Sequence, residues 1–349
     1  MKPVELAPNQ LHRFYRGGEA IARFRGVPST DDHAPEDWVG STTTLFGANA
    51  AGLSALPDRR LLRDAIAADP VAYLGPTHTA QYGTDSALLV KLLDAGERLP
   101  VHFHPDQAFA RSRLGLAHGK TEAWLIVETR GDRPTVWLGF REDFDLDVLA
   151  GWVDRQDRTT MLDALNELTV GPGDCFFVPA GLPHAIGEGV FLLEVQEPSD
   201  LSVLLEWTGF DIDGRRDGHL GLGFAVVLQN ARRAALRGDE LTELRRQTAA
   251  APESRPGART LLPAAASSFF RAERLRPAPA VSLEQEFSIL VALDGEGRLH
   301  TEGGTATLSR GDSLLVPHAA GPGELTGSVD VIRCLPPAPS GDRKRDLQD

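Results

Sequence analysis

The alternation of apolar and polar positions divides the chain into stretches of period two and stretches nearer the helical period. Glu122-Ala-Trp-Leu-Ile-Val-Glu changes sides at each step and predicts a strand with Glu122 and Trp124 on one face. Phe176-Phe177-Val178 and Gly189-Val-Phe-Leu-Leu-Glu-Val-Gln predict two more, parted by glycine turns. Leu88-Leu-Val-Lys-Leu-Leu93 is a continuous apolar run, as in a strand buried on both faces. Lys91 interrupts it and must either snorkel to solvent or reach an anion. Asp37-Trp38-Val39-Gly40-Ser41-Thr42 predicts a strand with Trp38 packed under a sheet, and Ile21, Arg23 and Phe24 predict a short strand after the Gly17-Gly18 turn.

Helical spacing takes over elsewhere. Leu61-Leu62-Arg-Asp-Ala-Ile predicts a short helix. Phe144, Leu146, Val148, Leu149, Trp152, Val153, Met161, Leu162, Leu165 and Leu168 predict a helical insert over 141–169. Leu222, Ala225, Val226, Leu228 and Ala231 suggest a helical segment, followed by an Ala/Pro/Arg-rich linker, together 218–263. Short strands return over 264–336, and the polar tail 337–349 is expected to be disordered.

Within that second set of strands Gly311-Asp-Ser-Leu-Leu-Val-Pro317 echoes Gly173-Asp-Cys-Phe-Phe-Val-Pro179. After the proline the copies diverge. The first continues to Gly181 and His184, and the second runs His-Ala-Ala-Gly-Pro. The chain therefore carries an internal repeat whose second copy has lost the histidine pattern.

At 349 residues with 42% hydrophobic side chains, the chain can bury a full core in two domains or one compound one. A net charge of −13 argues against a nucleic-acid partner, which needs a basic stripe. No stretch approaches a membrane span or a secretory leader. The two cysteines, Cys175 and Cys334, sit in apolar runs and imply no disulfide framework, as in a reducing cytoplasm. The acidic surface still leaves room for a small sugar or sugar phosphate held by a local group of cations. Nothing in the sequence specifies an oligomeric state.

The chemistry gathers between Gly96 and His184. His102 and His104 are two apart and share a face if the segment is a strand; Glu122 and His184 arrive from separate segments. Three imidazoles and a carboxylate converging inside a barrel make a first-row metal site. Gly96, five residues and His-x-His, followed by Gly173, five residues and Pro-x-Gly-x-x-His, resembles the paired signature of cupins. The resemblance implies a mainly β chain of two cupin-type jelly-roll barrels, the second degenerate. Residues 1–140 and 170–217 would form the metal-binding domain.

In the usual cupin the Glu follows His-x-His closely, whereas here 17 residues separate His104 from Glu122. That insertion, His104-Pro105-Asp106 before it and Gly119-Lys120-Thr121-Glu122-Ala-Trp124 after it resemble the class I mannose-6-phosphate isomerases. The resemblance covers roughly residues 10–210. It implies zinc at His102, His104, Glu122 and His184, with Lys120 and Glu194 in the active site of an aldose–ketose isomerase. Two departures matter. The family commonly has Gln where this chain has His102, which shifts the donor set toward nitrogen and opens iron, manganese or nickel as alternatives. Four residues after the Ser199-Asp200 pair the family has an arginine, and this chain has Leu204. Leu204 motivates an unphosphorylated sugar as substrate, and the three-His set motivates an iron dioxygenase; a non-catalytic sugar-binding protein is the remaining alternative. Arg215 or Arg216 would have to reach in from the next loop to replace the missing guanidinium.

Overall fold

A computed structural model describes residues 1–29 and 31–338. Two sheets face each other to form a first barrel. The larger has seven strands in the order Arg245–Gln247, Asp174–Val178, Glu122–Thr129, Val190–Gln196, Leu89–Asp94, Glu36–Val39 and Gln10–Leu11. The smaller has five, in the order Val203–Leu204, His102–Phe103, His184–Ile186, Thr135–Phe140 and Leu165–Thr169. A nine-stranded sheet forms the second barrel, with the long strands Ser288–Thr301 and Gly323–Leu335 at its centre. The chain is mainly β and built from two jelly rolls of cupin type.

The apolar runs follow from where the seven-stranded sheet sits. Side chains alternate faces along a strand, so each strand here feeds two cores. Trp124, Ile126, Phe176, Val178, Val190, Leu192 and Leu93 point into the first barrel. Ala123, Leu125, Cys175, Phe177, Phe191, Leu193, Val90 and Leu92 point the other way, against Ile289, Val291, Leu315, Ile332 and Cys334 of the second. Neither face meets water, which is why these strands read as unbroken hydrophobic runs. Both cysteines are buried and free.

Several local expectations need correction. Glu19–Arg25 is a helix, not a strand: Ala20, Ile21 and Phe24 are buried at helical spacing, and Gly26 closes the helix in the left-handed conformation. The expected insert 141–169 holds helices Leu146–Arg155 and Arg158–Ala164, but its last residues, Leu165–Thr169, form the edge strand of the five-stranded sheet. Leu165 and Leu168, three apart, lie on opposite faces of that strand and pack against different clusters, whereas a helix would have put them on one face. Within 218–263 the helices are single turns such as Phe224–Val227 and Asp239–Leu244. The expected linker contains strands Glu253–Arg255 and Ala258–Thr260, the second paired with Arg271–Leu275 of the second barrel. Most of the tail, from residue 339 on, lies outside the described residues. Among the described residues no helix is long and apolar enough to cross a membrane.

Candidate metal centre

Strand register brings the predicted residues together. In the five-stranded sheet His184 pairs directly with His102, Leu204 flanks His102 on the other side, and Leu138 flanks His184. Directly paired residues share a face. In the seven-stranded sheet Glu194 pairs with Lys91 on one side and Trp124 on the other, and Trp38 lies beyond Lys91. Glu122 stands two residues from Trp124 and therefore faces the same interior. Gly181, at φ 84°, makes the turn after Pro179 and donates its N–H to the His104 carbonyl at 2.6 Å, which ties the two histidine segments together.

The three imidazoles are buried, with ring centroids 4.2 to 5.0 Å apart, and offer ligand atoms that all lie within 4.8 Å of one another. Each ring has its Nδ1 at 2.8 Å from a backbone carbonyl: Pro100 for His102, Leu201 for His104 and Leu182 for His184. A nitrogen that close to a carbonyl oxygen must donate, so each proton is on Nδ1 and each Nε2 presents a lone pair to the interior. Burial drives all three histidines toward the neutral form; His102, burdened also by His184, falls to about 3. The Nε2 of His184 is buried and has no hydrogen-bond partner.

Glu122 borders two of the rings. Its Oε2 is 3.1 Å from Nε2 of His104, and its Oε1 is 3.3 Å from Nε2 of His184. Lone pair thus faces lone pair, an arrangement that calls for a cation between them. The Lys120 ammonium supplies part of that charge, at 2.6 Å from Glu122 Oε2, 2.8 Å from His104 Nε2 and 3.1 Å from Glu194 Oε1. Trp124 Nε1 donates to Glu122 Oε1 at 3.0 Å. The cavity is lined by three cations, Arg13, Lys91 and Lys120, and by four carboxylates, Glu36, Glu122, Glu194 and Asp200. Its formal balance is one negative charge, which a divalent ion converts to one positive. The orphaned nitrogen, the fixed tautomers and this balance all fit a metal ion.

Lys120 does not pair with Asp106, whose carboxylate caps Phe109 N and takes a bond from Asn230. Burial alone would depress the Lys120 ammonium, but Glu122 and Glu194 outweigh it and hold it above the ordinary lysine range. Both carboxylates thus favour the charged ammonium. Burial pushes Glu194 up, against the pull of Lys120 and with the help of Glu122. Arg215 and Arg216 do not reach in; they lie exposed against Asp154 and Asp217.

Sequence reasoning missed Arg13, Tyr15 and Glu36. Glu36 accepts from Trp38 Nε1 at 2.7 Å and from Tyr15, and its Oε2 lies 3.4 Å from Lys91. Lys91 thus reaches an anion and lies 4.8 Å over the Trp38 ring. Burial disfavours the Glu36 charge, yet Arg13 and Lys91 keep it well below the usual carboxylate range. Only Lys91 announced itself, as a charge inside an apolar run.

Known proteins resemble this chain in sequence and in fold. Residues 265–336 match the family described as mannose-6-phosphate isomerase, cupin domain. The chain is 27% identical over 257 residues to the mannose-6-phosphate isomerase ManA of Bacillus subtilis, a match spanning 70% of this chain and 73% of that one. The crystal structure of a mannose 6-phosphate isomerase from Bacillus subtilis superposes with a TM-score of 0.75 at 23% identity, covering 96% of this chain and 99% of that one. A mannose 6-phosphate isomerase bound with zinc and yttrium superposes at 0.71 and 17% identity, over 97% and 100% of the two chains. Over residues 265–336 the chain thus matches the cupin domain of mannose-6-phosphate isomerases, and over nearly its whole length it shares the fold of solved members of that group.

Proposed function

We propose that the protein is a metal-dependent isomerase that interconverts mannose 6-phosphate and fructose 6-phosphate. The observation that carries this reading is the convergence of three Nε2 lone pairs on one point, beside a buried lysine and a buried glutamate. His102, His104, His184 and Glu122 would hold the ion, and three nitrogens with one oxygen suit zinc. A divalent ion held there supplies Lewis-acid stabilisation of the negative charge that develops on a substrate oxygen.

The chain's own residues account for the proton chemistry. Glu194, made more basic by burial, takes the proton from C2 and returns it to C1. The hydroxyl proton moves from O2 to O1 in the same exchange, so an aldehyde becomes a ketone through an enediol. Lys120 stays protonated and steadies the oxyanion between the two transfers. Trp124 and the Pro100, Leu182 and Leu201 carbonyls keep the donors aimed inward. The cytoplasm is the proposed place of action, where buried free thiols persist. The relatives do not favour a dioxygenase or a silent sugar-binding protein.

A coupled assay on zinc-loaded protein tests the reading. Mannose 6-phosphate should be turned over, and Glu194→Gln should lower kcat by about 100-fold or more with zinc still bound. Metal-loaded wild type without turnover would sink it.

A further inference from the structure

We propose that Arg13 is the residue that binds the phosphoryl group of the substrate. The proposal rests on the sugar-phosphate reading above and extends it to a segment outside the histidine-bearing strands. Leu204 pairs with His102 in the sheet and leaves that wall of the cavity without a cation for a dianion. Arg13 lines the same cavity from the N-terminal segment.

Its guanidinium is fixed before any ligand arrives. Nη1 and Nη2 donate to the two oxygens of Asp200 at 3.2 and 3.3 Å, and Nε lies 3.1 Å from Glu36 Oε1. A guanidinium has five N–H groups, so two remain for a ligand. The other cations of the cavity are committed nearer the reacting end. Lys120 is held by Glu122 and Glu194, and Lys91 by Glu36 and the Trp38 ring. Depth separates them as well. The Arg13 side chain keeps 15% of its surface, against 7% for Lys120 and 3% for Lys91. A hexose 6-phosphate carries its reacting carbons and its phosphoryl group at opposite ends. With C1 and C2 at the imidazoles, the dianion falls toward the more open end, where it keeps part of its hydration. A planar fork held in place there suits phosphate oxygens better than a mobile ammonium would.

Calorimetry on the full-length, metal-loaded protein tests this with mannose 6-phosphate and free mannose as the two ligands. Arg13→Gln should weaken mannose 6-phosphate binding about 100-fold and free mannose less than about threefold. Arg13→Lys, which keeps charge and loses the fork, should weaken mannose 6-phosphate about tenfold. Metal content and the unfolding midpoint establish that each variant is folded. If Arg13→Gln does not fold, competition by inorganic phosphate in Arg13→Lys gives the same answer. Equal losses for the two sugars, or no loss for the phosphorylated one, overturn the assignment. A wild type that binds mannose 6-phosphate in an Arg13-dependent way without turning it over counts against the isomerase reading and supports Arg13. Normal turnover with binding indifferent to Arg13 does the reverse.

Discussion

The two barrels use one turn for opposite ends. Gly173-Asp174 and Gly311-Asp312 both open a strand, with the glycine at φ 91° in each. In each the aspartate accepts from the N–H three residues back, Gly171 at 2.9 Å and Ser309 at 2.7 Å. In each the glycine N–H bonds to the neighbouring strand, to Ile126 at 2.8 Å and Ala292 at 2.9 Å. Beyond the proline the copies part. The first turns through Gly181 and re-enters the barrel as His184. The second coils through His318–Ala320, a short 3-10 turn that brings no histidine inward and buries Ala320 in the second core. The interiors differ accordingly: His102, His104, His184, Glu122, Lys120 and Glu194 in the first, and Leu290, Leu299, Leu308, Leu314, Leu325 and Val331 in the second. A jelly roll closed by leucines needs no ion, whereas one lined by lone pairs and carboxylates is completed by one.

The sharpest way to break that contrast is to remove a histidine from each copy. His184→Ala should abolish zinc retention and lower turnover by about 1,000-fold or more, because several kcal/mol of transition-state stabilisation go with the ion. His318→Ala, in the segment just beyond Pro317, should leave both unchanged. Metal analysis of the purified variants alongside the coupled assay reads both. Zinc loss in the second variant would mean that the barrels are not divided as described.

A core substitution runs the contrast the other way. Leu314 is buried in the second barrel and pairs with Leu290 across the strands. Leu314→Ala should cost about 3 kcal/mol of stability, from lost burial and the cavity left behind. The folded fraction should retain its zinc and its kcat. Denaturant unfolding followed by an activity measurement on the native fraction checks it, and a fall in kcat without a fall in stability would contradict it.

The histidine set was legible because strand alternation and glycine-to-proline spacing are local properties of the chain. His102, His104 and His184 do converge, and Glu122 borders two of them. Arg13 and Glu36 were not legible. Their roles depend on Asp200 and Lys91, residues 187 and 55 positions away in the sequence, and no local pattern reports such a pairing. The helix at Glu19–Arg25 was misread because seven residues hold too little of either period to decide between them. The edge strand Leu165–Thr169 was absorbed into the helix before it for the same reason. Lys91 gave a true signal, since a charge inside a run buried on both faces needs a partner.

The smallest expected effects come from the shared glycines, and here the comparison becomes quantitative. At φ 91° an alanine is strained at either position, which costs about 1 kcal/mol, partly offset by a stiffer unfolded chain. The surroundings then separate the two. A Cβ on Gly173 would meet Thr248 Oγ1 at 3.2 Å, a contact that a slight shift relieves. A Cβ on Gly311 would stand 2.0 Å from the Phe24 carbonyl oxygen, in the helix Glu19–Arg25 of the first barrel. That turn is where the barrels dock: Arg25 donates to the Gly311 carbonyl and to Ser313 Oγ, each at 2.7 Å, and Arg310 lies 5.1 Å over the Phe24 ring. Gly173→Ala should therefore cost about 1 kcal/mol and Gly311→Ala about 2 kcal/mol or more, since backbone must move against backbone. Unfolding midpoints of the two variants, measured side by side, decide the matter. Equal shifts would mean that the second turn packs no more tightly than the first, and that its glycine serves only the strand it opens.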